Sequence, residues 1–384
     1  MSYCFGWADF WTHSLNKLGY EVWEPVANAE AMQKTWAKEN DISFDSNSWI
    51  LDIIKHQVIS YKPDILFVDD YHTFTKDFLD DLKISCPSIK FVIGWCGAPY
   101  DDAQVFSAYD LVLSNIPELV TEFRDLGHRS QYFKHAFEPR ILKRISNVDE
   151  TIDSQTSSSE ILFSFVGSIV AGKLGHNQRI KLLKQLIKNV DIDIFCDVNQ
   201  FGSKQILLGI LKPLFYDSVN FLSRVDIFKN ILRNIPKCQK FMDMKTRPNI
   251  HKQMDRDILR RAKQPVFGIE MFKILSKSSV TFNNHIDISR NSASNMRLFE
   301  ATGVGTCLLT DWKPNLHELF EPDYEVVTYR SVEECIEKAK WLLDNPVERD
   351  KIAKAGQART LREHTFDHRA LALDEIIQTF LKNK

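Results

Sequence analysis

At 384 residues and 44.6 kDa the chain exceeds what one compact core usually holds, so length favours two domains. Apolar residues at 44% and charged residues at 26% are ordinary for a globular protein; they exclude a disordered chain, a collagen and a disulfide scaffold. The net charge of −2 hides an asymmetry: residues 1–135 hold 11 Lys/Arg against 20 Asp/Glu, the remainder 38 against 31. An acidic half joined to a basic half fits a protein whose second half binds something anionic, although halves of a chain also differ by chance.

No apolar run approaches a membrane span; Ile206 to Tyr216 is short and interrupted by Lys212 and Pro213. The start lacks a basic segment followed by an apolar stretch, so no signal peptide is expected. Seven scattered cysteines, none in a CxxC pair, read as reduced cytosolic thiols rather than a zinc site or a disulfide frame.

In chain order, Tyr3–Gly6 is a brief strand candidate, followed by an aromatic turn and a short helix ending at Gly19. Trp49 to Tyr61 carries apolar residues at helical spacing, Lys62-Pro63 stops it, and Asp64–Val68 reads as a buried strand opening on Asp69-Asp70. Phe91–Trp95 and Asp110–Ser114 are further strands, Ile116–Leu126 a helix closed by Gly127, and Gln131–Lys134 another strand. Strands alternating with helices predict a parallel α/β sheet. After a Ser/Thr-rich linker at Thr151–Glu160, the rhythm restarts with strand Ile161–Val166, turn Gly167-Ser168, helix Asn177–Asn189 and strand Ile192–Cys196. Strands Val280–Asn283, Thr306–Thr310 and Glu325–Thr328 follow, so two Rossmann-like domains are the economical account.

Residues 203–264 interrupt this order and read as helical. Within 229–263 there are 11 Lys/Arg against 3 Asp, which suits an anionic acceptor or an anionic membrane face, or simply a solvated helical surface.

Ligands of open parallel sheets sit at the carboxyl ends of the strands, where backbone N–H groups face an anion. Phe165-Val-Gly-Ser168, with Lys173 and Arg179 after it, is one such end. Neither GxGxxG nor a P-loop occurs. The sharpest stretch runs from Asn283 to Asp311. A strand end and a polar loop lead into a short helix expected from about Ser294 to Thr302, with Arg297 one turn inside and Glu300 further along the same face. Gly303 and Gly305 then turn the chain into the next strand.

Asn295-Met-Arg-Leu-Phe-Glu-Ala-Thr-Gly-Val-Gly-Thr-Cys-Leu-Leu-Thr-Asp311, then His317-Glu-Leu-Phe320, Tyr329, Asn345-Pro, Ile352-Ala-Lys-Ala-Gly356, His364-Thr365 and His368-Arg369, resembles the C-terminal half of CgeB-like glycosyltransferases. The resemblance is strongest over 280–370 and looser at Phe165–Ser168 and Phe133-Lys-His-Ala-Phe137. It implies an α/β GT-B fold, two facing Rossmann-like domains with an interdomain cleft. The expected layout is an acceptor-side domain at 1–138, a linker at 139–160, a nucleotide-sugar-binding domain at 161–365 with the basic helical insertion 203–264, and a C-terminal helix at 366–384.

The resemblance further implies a cytoplasmic enzyme, membrane-associated at most, that moves a sugar from a nucleotide donor to a hydroxyl acceptor in polysaccharide or glycoconjugate synthesis. The expected partners are that donor and a carbohydrate, lipid-linked or other hydroxyl acceptor, with peripheral anionic membrane contact through 229–263. No nucleic acid, cofactor or bound metal is expected. Asn295 and Arg297 would contact the diphosphate and Glu300 the ribose, with Gly167, Ser168, Lys173, Arg179 and His285 completing the donor side. Related retaining enzymes carry a Glu eight residues before the position of Glu300; here it is Ser292. The base that takes the acceptor proton is sought at strand ends of the first domain: Asp9, His72 or Asp101, with His13, Asp69 and Asp70 as neighbours. Asp70 and Asp69 serve equally well as turn caps. Phe5, Trp7, Phe10 and Trp11 suit a sugar-stacking platform or a buried core. A nucleotide-sugar 2-epimerase and a non-catalytic nucleotide-sugar-binding protein are the alternatives.

Overall fold

The computed structural model describes residues 4, 6–100, 102–149, 160–169, 175–197, 203–242, 244 and 256–382. Tyr3 and Phe5 of the first strand candidate, Asp101, Lys173 and nearly all of the Ser/Thr-rich linker lie outside the described residues, and Cys4 and Gly6 are not in a strand.

By compactness the chain forms two units, Met1–Phe163 with Phe267–Lys384, and Ser164–Val266. The first unit holds a four-stranded parallel sheet in the order β1 (Ile65–Val68), β2 (Phe91–Trp95), β3 (Leu111–Ser114), β4 (Ser130–Tyr132). Every residue of β2 is buried, as a central parallel strand covered on both faces requires. The helix Trp49–Tyr61 turns Ile53, Ile54, Gln57 and Val58 inward and stops where Lys62 takes a left-handed φ of 54° ahead of Pro63.

Strand β5 (Ile161–Val166) pairs in parallel with β6 (Asp193–Phe195), which pairs with β7 (Ala262–Lys263). The helix Asn177–Asn189 packs Leu182, Leu183 and Leu186 inward. The other described elements of the second unit are the helices Ser203–Leu222, Asp226–Arg233, Pro236–Met242 and Arg256–Arg261.

Back in the first unit, β8 (Ser278–Phe282), β9 (Cys307–Asp311) and β10 (Val327–Tyr329) are parallel neighbours. The crossover at Phe137 bridges to Thr365, and Arg369 donates to the His135 carbonyl at 3.0 Å. The side chain of Phe137 fills the space above Gly303, where any Cβ would collide with its ring. The C-terminal helix Phe366–Lys382 returns to the first sheet: Phe380 stacks on Phe91 with centroids 3.7 Å apart, and Lys17 pairs with Asp367 at 2.8 Å. All seven cysteines are buried and unbridged.

Candidate active site

The loop that leaves β8 buries six polar side chains. Asn283, Asn284, His285, Ser289, Ser292 and Ser294 are each at most 5% exposed. Buried polar groups cost free energy unless they find partners, and here most do. Asn283 donates to Thr310 Oγ1 at 2.9 Å and accepts from Asn295 Nδ2 at 2.7 Å, while Tyr329 donates to the Asn283 carbonyl at 2.8 Å. Ser289 donates to the Ser292 carbonyl at 2.6 Å.

The first sheet reaches into the same loop. Asn115, just past β3, donates to the Ser294 carbonyl at 2.8 Å, and Gly97 allows it, since a Cβ there would overlap Asn115 Oδ1. Glu118, in the first turn of helix Pro117–Asp125, accepts from the Asn291 N–H at 2.9 Å and from Ser292 Oγ at 2.7 Å. The position where related enzymes carry a Glu therefore receives a carboxylate from another element. Asn315 closes the loop by accepting from the Ala293 N–H at 2.6 Å.

Two ionic features stand on this frame. At the ends of β8 and β9, His285 donates its backbone N–H to Asp311 Oδ1 at 3.0 Å and sets its Nδ1 2.7 Å from the same oxygen. Burial opposes ionisation of Asp311, but the charge and hydrogen bonds of His285, with Lys313 at 3.3 Å, outweigh it and hold the carboxyl at about 2. The Nε2 of His285 is buried and has no hydrogen-bond partner among the described residues. Orphan polar atoms of this kind mark places where a ligand or water completes the set.

The second feature is the pair Arg297–Glu300, 2.9 Å apart and almost wholly buried. Burial raises the Glu300 carboxyl, with Arg297 opposing the shift. The helix carrying both begins at Arg297, three residues later than expected, and is only seven residues long. Its Leu298, Phe299 and Glu300 N–H groups already bond to the Asn295 and Met296 carbonyls. Any contact with an anion therefore falls to side chains and to the loop, with little left for the helix end.

In the second unit, Arg179 Nη1 donates to the Ser168 carbonyl at 2.7 Å and lies 5.6 Å from the Phe165 ring. That clamps the turn at Gly167-Ser168. His176 beside it is held down at about 3 by burial and by Arg179.

The candidate bases behave differently. Asp9 faces Arg140, which donates to both of its oxygens at 3.2 and 3.5 Å, while Arg140 also holds Glu138. His72 is exposed and lies against Tyr71 at 4.2 Å. Asp70 caps the next turn by accepting from the His72 and Thr73 N–H groups. Phe10 and Trp11 are buried against Phe366, so core packing accounts for them; Trp7 stays partly open, 5.1 Å from Trp95.

Sequence reasoning missed Glu24. Its carboxyl accepts from the Thr12 N–H and hydroxyl at 2.6 Å, and burial pushes it up to about 7, with Asp9 adding to the shift. No motif announces it; its neighbours are brought by the fold. Among the described residues no group of three or more His, Cys, Asp or Glu is placed to hold a metal ion.

A family model described as glycosyl transferase-like matches residues 249–375. No curated protein matches in sequence. Among solved structures, HepE of Anabaena in complex with UDP-glucose is 10% identical with a TM-score of 0.54, over 90% of this chain and 88% of that one. Sucrose-phosphate synthase from Thermosynechococcus elongatus is 9% identical with a TM-score of 0.52, over 89% and 82%. These likenesses are of fold, the GT-B arrangement of two Rossmann-like halves.

Proposed function

From a GT-B fold whose C-terminal third matches a glycosyl transferase-like family, we propose that the chain is a glycosyltransferase moving a sugar from a nucleotide-sugar donor to a carbohydrate or other hydroxyl acceptor. It is an enzyme of the transferase class. The observation that carries the reading is the buried polar loop of 283–300, which ends on an Arg–Glu pair and a histidine with one ring nitrogen left open.

In this reading Arg297 neutralises the donor diphosphate and is held in place by Glu300. The ribose diol competes for the same carboxylate. Charge-assisted bonds of this kind are about twice as strong as neutral ones, which suits a leaving group that gains charge as the glycosidic bond breaks. His285, fixed by Asp311, offers Nε2 to the donor. On the acceptor side Arg140 already bonds both oxygens of Asp9, whereas Glu24, pushed up to about 7 by burial, is the group able to exchange a proton at neutral pH. The reading needs no bound metal, so EDTA should leave turnover unchanged. Seven unbridged thiols suit a reducing, cytoplasmic setting.

The resemblance to CgeB-like enzymes and a role in polysaccharide or glycoconjugate synthesis are part of the same proposal. The test is release of nucleoside diphosphate from a panel of nucleotide-sugars, with and without mono- and oligosaccharide acceptors. The expected result is one preferred donor, whose cleavage an acceptor accelerates. Binding without cleavage would instead favour a nucleotide-sugar-binding protein, and interconversion of free sugar epimers a 2-epimerase.

A further inference from the structure

From Leu211 onward the helices between Ser203 and Met242 present many of their described apolar side chains outward. Ten of the 23 large apolar residues exposed on the described surface fall between Leu211 and Met244, far more than this stretch's share of the chain. In the helix Ser203–Leu222 the pattern is regular: Leu211, Leu214, Phe215, Ser218 and Leu222 recur at i, i+3, i+4, i+7 and i+11, all exposed. Pro213 and Val219 are buried, and Phe215 packs edge-on against Phe241 with ring centroids 5.1 Å apart. Leu211, Leu214 and Leu222 therefore leave an apolar face of this helix turned to the outside. Phe221, at 69% exposed, stands beside the outer stripe, and Phe228 and Ile231 extend it to the next helix. A concentration of exposed apolar side chains of this kind marks a contact site rather than a solvated face.

Charge identifies the occupant. Residues 203–242 contain seven Lys/Arg and two Asp. Lys212, Arg224, Arg233 and Lys237 are exposed and form no ion pair with a described residue. A second copy docked symmetrically would set these cations against themselves. An anionic bilayer answers both features: apolar side chains enter the boundary of the acyl chains, and cations meet lipid phosphates. No described helix is long and apolar enough to cross a membrane, so the contact is peripheral.

We propose that the helical segment 203–242 docks this protein onto an anionic phospholipid surface, with Leu211, Phe215, Phe221, Phe228 and Ile231 entering the interface. The inference stands apart from the transfer reaction. It also moves the contact from the basic run 229–263 to the helices where exposed apolar and basic residues coincide.

The test is flotation of the full chain with phosphatidylcholine vesicles and with vesicles carrying 30 mol% phosphatidylglycerol, at 0.1 and 0.5 M salt. Binding to the anionic vesicles should be about tenfold or more tighter and should weaken several-fold in high salt. Phe221→Asp with Phe228→Asp, and separately Arg224→Glu with Arg233→Glu, should each lower it about tenfold or more while the melting temperature stays unchanged. Should either variant fold poorly, anionic vesicles should still slow tryptic cleavage of the wild type after Lys212, Arg224 and Arg233. Absence of vesicle binding, equal binding to neutral vesicles, or self-association abolished by the same substitutions without lipid would each overturn the proposal.

Discussion

The loop 283–300 and the helices 203–242 reverse the usual arrangement of a globular protein in opposite senses. The loop buries asparagines, serines, a histidine and an Arg–Glu pair; the helices leave leucines and phenylalanines in water. Burying polar groups is tolerated because most are tied to another, and the cost of untying one is large. Exposing apolar groups costs little in the folded chain, since the same residues are also exposed when it unfolds. The first region should therefore be brittle and the second indifferent, and substitutions can separate them.

The largest effect is expected at Glu300. Glu300→Ala leaves the buried Arg297 unpaired and should cost about 3 to 5 kcal/mol in urea unfolding. If the pair serves the donor, KM for the preferred donor should also rise about tenfold or more. A stable variant with unchanged KM would remove Glu300 from the site.

Glu24 tests burial of a single carboxyl. Because its folded value is raised to about 7, the unfolded chain loses this proton first as pH rises from about 4.5, and the folded chain keeps it. Its contribution therefore weakens stability progressively across pH 4.5–7, by about 2 kcal/mol after allowance for partial exposure. Glu24→Gln should stabilise the protein at pH 8, have no effect at pH 4, and flatten the stability profile between. A profile equal to wild type would place the carboxyl in water.

A smaller loss, about 1 kcal/mol, is expected for Ser292→Ala, which deletes one of the two bonds Glu118 accepts from the loop. Glu118→Ala should cost more, because both donors lose their partner. Equal effects would mean that the Asn291 N–H bond contributes nothing. The smallest effect belongs to the helices: Phe221→Ser should change stability by less than about 0.5 kcal/mol. A loss of 2 kcal/mol would show that Phe221 is packed rather than presented.

The same contrast explains what could be read in advance. Phe91–Trp95, Ile161–Val166 and Asn177–Asn189 form as their periodicity dictates, because one strand run or one apolar stripe decides each of them locally. The helix expected from Ser294 begins only at Arg297, since Ser294 and Asn295 are spent on Asn115 and Asn283. Such tertiary bonds override local preference. Asn283 and His285 lay within the segment that drew attention, but Glu118 did not, because its partner Ser292 is 174 residues away. In 229–263 the positive charge was legible. The outward stripe in 203–242 was not, since helical spacing records that apolar stripes exist and not which of them finds the core.

The most direct test of the donor site is a thermal-shift panel of UDP, GDP, ADP, CMP and dTDP with their sugars, run on the wild type beside His285→Ala. A ligand at a hundred times its Kd stabilises the native state by about 2.7 kcal/mol, well within reach of the method. The account predicts that one nucleotide family raises the wild-type melting temperature, and that His285→Ala loses most of that shift while remaining folded. A panel in which no nucleotide moves the wild type would contradict it.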